Sequence, residues 1–179
     1  MSSTLIITGS PSGTSRTARL GVVVGNRLSR LGADASLLDL RTLPAEDLLH
    51  ARSDSPQIVR ALERVAAARG VVIATPVYKA AYSGLLKTFL DLLPQFGLRD
   101  KVVLPLATGG TIAHVLSIDY ALRPVLSSLD PLHVVAGLFL LDKQLTVKPD
   151  ADDVEVDPDA SSKLDATLGS FVSSLRRAA

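Results

Sequence analysis

The stretch that decides the fold is TLIITGSPSGTSRT, residues 4–17. Its Leu5-Ile6-Ile7 segment is a continuous apolar run, which is typical of a strand buried on both faces of a sheet. Gly9-Ser10-Pro11 closes the run, and apolar residues at helical spacing then extend over residues 20–31 and end before Gly32. A buried strand, a polar turn and an amphipathic helix in this order predict the first unit of a parallel α/β sheet.

The same alternation continues to the end of the chain. Apolar runs predict strands at 35–40, 71–75, 102–108 and 133–141. Helical spacing predicts helices from Ser55-Pro56 to Gly70, over 85–93, over 115–129 and over 164–175, with an acidic mobile loop at 142–160. We therefore predict one domain over residues 1–179. Its fold class is α/β and flavodoxin-like, with a five-stranded parallel sheet of order 2-1-3-4-5 and helices on both faces.

Composition excludes several classes of function. With 19 basic and 18 acidic side chains the net charge is only +1, which argues against a nucleic-acid partner. Cysteine is absent, so disulfides, thiolate catalysis and cysteine-ligated metals are excluded. No apolar stretch reaches the roughly 20 residues that span a membrane, and no basic segment precedes the first strand, so we expect a cytoplasmic protein.

In open sheets of the predicted order, ligands bind at the carboxyl ends of the strands, where the strand order reverses. The loop after the first strand, residues 9–17, is rich in hydroxyl groups, contains Arg16 and leads into a helix. Amides at a helix N-terminus attract anions, and hydroxyls and a guanidinium add donors, so the loop suits a phosphate. Serine, glycine and proline are also ordinary turn residues, which leaves a capped turn as the alternative.

The loops after the third and fourth strands suit a flat ring. Residues 75–84 contain two of the three tyrosines, Tyr78 and Tyr82, which either pack against a heterocycle or only cover the top of the sheet. Residues 108–111 contain Gly109-Gly110, which either lets a ligand approach the backbone or forms an ordinary strand-to-helix turn. His114, which follows, suits a helix surface as well as a catalytic role.

Other nucleotide, hydrolase and metal motifs do not match. The first loop is not GxxxxGK[ST], because Thr14 stands at the second glycine, and Pro11 excludes both GxGxxG and GxSxG. The three histidines lack metal-ligand spacing, and the acidic run over 150–159 lacks the glycine and the terminal glutamate of an EF-hand. We predict no metal site and no catalytic triad.

Three segments of the chain form a recognisable set: TGSP with Ser15-Arg16 (residues 8–16), ATPVYKAAYSGLLK (residues 74–87) and LPLATGGT with His114 (residues 104–114). Together they resemble the NADPH-dependent FMN reductases of sulfonate assimilation, which are the reductase components of two-component alkanesulfonate monooxygenases. PAEDLL at 44–49 and DYALRP at 119–124 also match, and the similarity runs from about residue 4 to residue 144.

The resemblance implies FMN and NADPH as cofactors and assigns the residues that bind FMN. The phosphate would be held by Ser10, Ser15, Arg16 and Thr17. One side of the isoalloxazine ring would be lined by Pro76, Val77, Tyr78 and Ser83. The other side would be closed by Thr108, Gly109, Gly110 and Thr111. Many relatives have an arginine where this chain has Ser12, which implies a weaker hold on the phosphate.

The resemblance also implies a homo-oligomer, either a dimer or a dimer of dimers. In the sulfonate branch a tyrosine in the fourth helix marks a π-bulge at the tetramer interface, and Tyr120 matches that position. Extra residues inserted into helices often mark functional sites.

The implied function is hydride transfer from NADPH to FMN, followed by delivery of reduced FMN to a partner monooxygenase. The residues leave open the choice between NADPH and NADH. Two alternatives share the fold: a quinone or azo reductase that keeps its FMN, and a flavodoxin-type electron carrier. A receiver-type signalling domain is set aside, because Thr8-Gly9-Ser10 stands where it needs an acidic pair.

Overall fold

The computed structural model describes residues 3–148 and 152–178. In chain order its strands are β1 (Ser3–Thr8), β2 (Asp34–Asp39), β3 (Gly70–Tyr78), β4 (Ala81–Tyr82), β5 (Val102–Gly109), β6 (His133–Val134), β7 (Leu138–Leu141), β8 (Leu145–Val147) and β9 (Val154–Val156). Its α-helices are α1 (Arg16–Arg30), α2 (Ala45–Leu49), α3 (Pro56–Ala67), α4 (Gly84–Leu90), α5 (Arg123–Ser128) and α6 (Pro158–Arg177).

The main sheet has the predicted order. Parallel pairing gives β2-β1-β3-β5-β6, which corresponds to 2-1-3-4-5 in the sequence-based numbering. The predicted number of strands is wrong, because the sheet has seven. β7 also occupies the fifth position, beside the carboxyl half of β5, and β4 pairs antiparallel with the end of β3.

Pro105 explains why the predicted fifth strand is split into β6 and β7. β6 pairs with Val102 and Val103, and the pairing of β7 begins at Leu106. Pro105 lies between these two stretches and has no N–H to donate to a neighbouring strand. At the gap, a Cβ atom on Gly137 would lie 2.8 Å from the Pro105 carbonyl oxygen, so only glycine fits there.

Both faces of the sheet are covered by helices, as predicted. Alternate residues of β1 point to opposite faces, which places Ile7 in the core beneath α3, α4 and α5. Ile6 lies in the core beneath α1 and α6. At the start of α3, Ser55 stands at the N-cap as predicted, but its hydroxyl makes no capping hydrogen bond.

The helix predicted over 115–129 is interrupted by a π-turn at Ile118–Leu122, which is followed by α5. Pro124 lies in the first turn of α5, where its missing N–H cannot complete a regular helical bond to the preceding turn. Tyr120 lies within the π-turn, which confirms the expected departure from α-helical geometry at this tyrosine.

The prediction of a mobile loop over 142–160 is largely wrong. A 3₁₀ turn at Asp142–Gln144 leads into β8, which pairs antiparallel with β9. Leu145 and Val154 are buried in the core beneath α1 and α6, which holds β8 and β9 against the rest of the fold. Asp157 caps α6, since its Oδ1 accepts from the backbone N–H of Ala160 at 3.3 Å. Asp150, part of the acidic run, lies outside the described residues.

Over residues 3–148 and 152–178, no helix is long and apolar enough to cross a membrane. The same residues contain no group of three or more histidine and acidic side chains that are placed to hold a metal ion.

Candidate functional site

The three predicted ligand loops meet at the carboxyl edge of the sheet and line one open cleft of about 200 Å³. This follows from the topology, because β1, β3 and β5 are adjacent and parallel and therefore end at the same edge. Most of the residues predicted from the sequence line this cleft: Ser10, Ser15, Arg16, Thr17, Pro76, Val77, Tyr78, Thr108, Gly109 and Gly110.

One end of the cleft is the N-terminus of α1. Ser15 caps the helix, and its Oγ accepts from the backbone N–H of Ala18 at 3.2 Å. The Oγ of the buried Ser10 accepts from the N–H of Ser12 at 3.4 Å. Because both oxygens act as acceptors toward the backbone, both hydroxyl protons are left to donate to a ligand. These hydroxyl donors lie beside the positive end of a 15-residue helix, and the two features together suit the binding of a phosphate.

Arg16 supplies a positive charge at the same end. Its side chain is exposed, and its Nε donates to the Leu145 carbonyl at 3.2 Å, at the start of β8. Among the described residues its Nη1 and Nη2 have no protein partner, which leaves these two nitrogens for an anion in the cleft. This bond to the hairpin of β8 and β9 therefore holds the Arg16 side chain in place through Nε, while Nη1 and Nη2 remain available as donors.

Two buried hydroxyl groups that line the cleft are joined by a hydrogen bond. Thr17 Oγ1 and Thr108 Oγ1 lie 2.7 Å apart and join the first turn of α1 to the end of β5. Thr17 was assigned to the phosphate, and the structure gives it this bond in addition to a place on the cleft wall.

The other end of the cleft is formed by the end of β3. Pro76, Val77 and Tyr78 line it, and the Tyr78 side chain is 47% exposed. The chain then turns back through Lys79 and Ala80, whose φ angles are 49° and 65°, and pairs as β4. Two left-handed residues in a two-residue turn form a tight hairpin that is usually built with Asn and Gly. This hairpin holds Tyr78 at the mouth of the cleft and was not predicted from the sequence.

The two glycines after β5 have different roles. A Cβ atom on Gly109 would lie 2.9 Å from Cζ of Phe139, so any other residue here would force the Phe139 ring on β7 to shift. A Cβ atom on Gly110 would meet nothing closer than Asp142 Oδ2 at 3.7 Å, so this glycine leaves open space in the cleft. A flat ligand can therefore approach the backbone here, as the sequence suggested.

Ser83 and Thr111, which the resemblance also assigns to the flavin, use their side chains to hold the loops at the cleft. Ser83 is fully buried: its Oγ donates to the Gly9 carbonyl and accepts from the Leu86 N–H at 3.1 Å, which caps α4. Thr111 Oγ1 accepts from the Ala113 N–H at 3.3 Å and caps a short turn. Both side chains therefore hold the backbone of the loops that line the cleft.

Three lining residues were not assigned from the sequence: Ser12, Thr14 and Asp142. Ser12 and Thr14 belong to the hydroxyl-rich loop, so its composition already contained the signal. Asp142 follows β7 directly, in the segment predicted to be a mobile loop, and its position at a strand end was the signal available. His114 lines a separate surface pocket beside Tyr120.

Comparison with known proteins identifies relatives along most of the chain. The sequence profile of the family described as NADPH-dependent FMN reductase matches residues 3–146. An FMN reductase (NADPH) of Escherichia coli is 43% identical over 173 residues, 97% of this chain and 90% of that protein. The protein of the same name from Pseudomonas putida is 43% identical over 171 residues, 96% of this chain and 87% of that protein.

Solved structures include one with a very similar fold. The apo form of an NADH:FMN oxidoreductase (EMOB) superposes with a TM-score of 0.87 at 38% identity, and the match covers 97% of this chain and 90% of that chain. The similarity therefore extends beyond residue 146 into α6.

Proposed function

The chain belongs to the NADPH-dependent FMN reductase family, and from this premise we propose that it passes its reduced FMN to a partner flavin-dependent monooxygenase in sulfonate sulfur assimilation. Its activity is that of an oxidoreductase that reduces FMN with NAD(P)H. The observation that carries the proposal is the open cleft itself, which has hydroxyl groups and Arg16 at one end and Pro76, Val77 and Tyr78 at the other.

Each end of the cleft fits one part of FMN. The helix N-terminus, Ser10, Ser15 and Arg16 would hold the phosphate. The end of β3 and the Gly109-Gly110 turn would contact the ring. Position 12 holds a serine, so Arg16 is the only guanidinium on this cleft wall among the residues that the structure describes. A weak hold on the phosphate suits a protein that releases its flavin after reduction.

The cofactors themselves supply the hydride chemistry. The chain contributes position, because residues on both sides of the cleft would hold the ring where a nicotinamide can lie against it. Backbone N–H groups over 109–111 would stabilise the negative charge that the ring gains on reduction, as an oxyanion hole does. No side chain is required as a general base, which agrees with the sequence-based prediction of no catalytic triad.

A coupled assay tests delivery to a partner. The purified protein, NADPH and FMN are combined with an alkanesulfonate monooxygenase that uses reduced FMN, and sulfite release from an alkanesulfonate is measured. We expect sulfite release from the alkanesulfonate to require the purified protein, NADPH, FMN and the monooxygenase together. NADPH oxidation without sulfite release would remove the sulfonate role while leaving the FMN reductase activity intact.

We also propose that the chain forms a homo-oligomer through the surface around Tyr120. Tyr120 is 80% exposed on the π-turn, and exposed Leu116 and Ile112 lie nearby along the chain. Exposed apolar groups clustered in this way are typical of protein interfaces. The patch adjoins the loops of the cleft, so association would place flavin sites near subunit boundaries.

Replacing Tyr120 with aspartate should reduce the oligomeric state, because a charge buried in an apolar interface is costly. Molar mass is measured by light scattering after size exclusion. Leu132→Asp is the matched control, since Leu132 is also exposed but precedes β6 at the opposite edge of the sheet. A monomeric wild type, or an unchanged mass in Tyr120→Asp, would contradict the proposal.

A further inference from the structure

Asp142 is an acidic group on the cleft wall that neither phosphate binding nor ring binding uses. It follows β7 directly, and its side chain is half-buried and lines the cleft. Within residues 3–148 and 152–178, its carboxylate has no hydrogen bond and no ion pair. The unpaired carboxylate therefore offers acceptor oxygens to a ligand in the cleft.

The turn that carries Asp142 connects the two ends of the cleft. At one side, Leu141 pairs with Gly109, and its N–H donates to Gln144 Oε1 at 2.9 Å, which fixes the turn. At the other side, the Leu145 carbonyl accepts from Arg16 Nε at 3.2 Å. Asp142 thus stands between the ring-side glycines and the phosphate-side guanidinium.

The part of FMN that lies between ring and phosphate is the ribityl chain, which carries hydroxyl groups. An ionised carboxylate repels the phosphate because both groups are negatively charged. It only accepts hydrogen bonds, so it pairs with a group that has a proton to donate. We propose that Asp142 binds the ribityl hydroxyls of the flavin and thereby favours flavins that carry this chain. The inference rests on the proposed binding of FMN in the cleft.

Three flavins separate this contact from the others: FMN, riboflavin, which lacks the phosphate, and lumiflavin, which lacks the whole ribityl chain. Kd is measured for each by equilibrium dialysis without nicotinamide. In Asp142→Ala we expect Kd to rise about tenfold for both FMN and riboflavin, and to stay unchanged for lumiflavin. Asp142→Asn should show a smaller rise, because its amide oxygen still accepts but carries no charge.

Asp34→Ala is the matched control, because Asp34 is an exposed carboxylate at the start of β2, on the opposite edge of the sheet. It should bind all three flavins as the wild type does. An equal loss for lumiflavin in Asp142→Ala would place the carboxylate on the ring and overturn the inference. Unchanged binding of all three flavins would also overturn it. Failure of the wild type to bind FMN at all would instead overturn the proposed function.

Discussion

Replacing Arg16 with alanine should raise Kd for FMN by about 10- to 100-fold and leave Kd for riboflavin nearly unchanged. The variant loses a charge-assisted contact to the phosphate, worth about 1.5–3 kcal/mol, and only FMN carries that phosphate. Arg16 is exposed, so salt should weaken the contact and shrink the difference between wild type and variant. Titration of both flavins at low and high salt measures each effect.

Arg30→Ala provides the control for Arg16→Ala. Arg30 is an exposed residue in the last turn of the same helix, so its replacement removes the same charge far from the cleft. It should leave both flavin affinities unchanged. Equal losses of FMN and riboflavin binding in Arg16→Ala would contradict the phosphate assignment and indicate a general disturbance of the loop.

Replacing Phe171 with alanine should lower the free energy of unfolding by about 3–5 kcal/mol. Phe171 is fully buried on α6, and a Cβ atom on Gly70 would lie 2.8 Å from its Cζ, which shows how tightly the ring packs against the start of β3. Alanine would leave a cavity under the sheet. The effect tests our proposal that residues 1–179 form one folding unit, although the family profile ends at residue 146.

Urea denaturation of Phe171→Ala, wild type and Ser170→Ala measures this contribution. Ser170 is the exposed neighbour on the same helix, and its replacement should change stability by at most about 0.5 kcal/mol. The start of β3 is far from the cleft, so folded Phe171→Ala should keep wild-type affinity for FMN. A separate unfolding transition for α6, or a loss below about 1 kcal/mol, would show that the helix is not part of the core.

The strand order could be predicted because β1, β3 and β5 are apolar runs that alternate with helices along the chain. Such runs, as in β1, are buried on both faces and stand out in the sequence. The split fifth strand could not be predicted from its own residues, since the cause is Pro105 in the neighbouring strand. The hairpin of β8 and β9 was missed because each strand has only 3 residues, and its buried Leu145 and Val154 lie within an acidic segment.

The site was predictable to the extent that the strand order fixes which loops meet. Placing the loops after β1, β3 and β5 together required no knowledge of side-chain contacts. The burial of Ser83 was not predictable, because its bond to the Gly9 carbonyl joins two loops that are distant in sequence. Asp142 was missed because its place on the cleft wall depends on β7 lying beside β5, where Leu141 pairs with Gly109.

NADPH oxidation by the purified protein, followed by absorbance over a range of added FMN concentrations, tests the central claim most directly. A reductase that uses FMN as a released substrate should show turnover that depends on added FMN and saturates with it. A protein that is yellow as purified, and whose NADPH oxidation does not change with added FMN, would contradict the claim. It would indicate that the flavin stays bound, as in a quinone reductase or a flavodoxin.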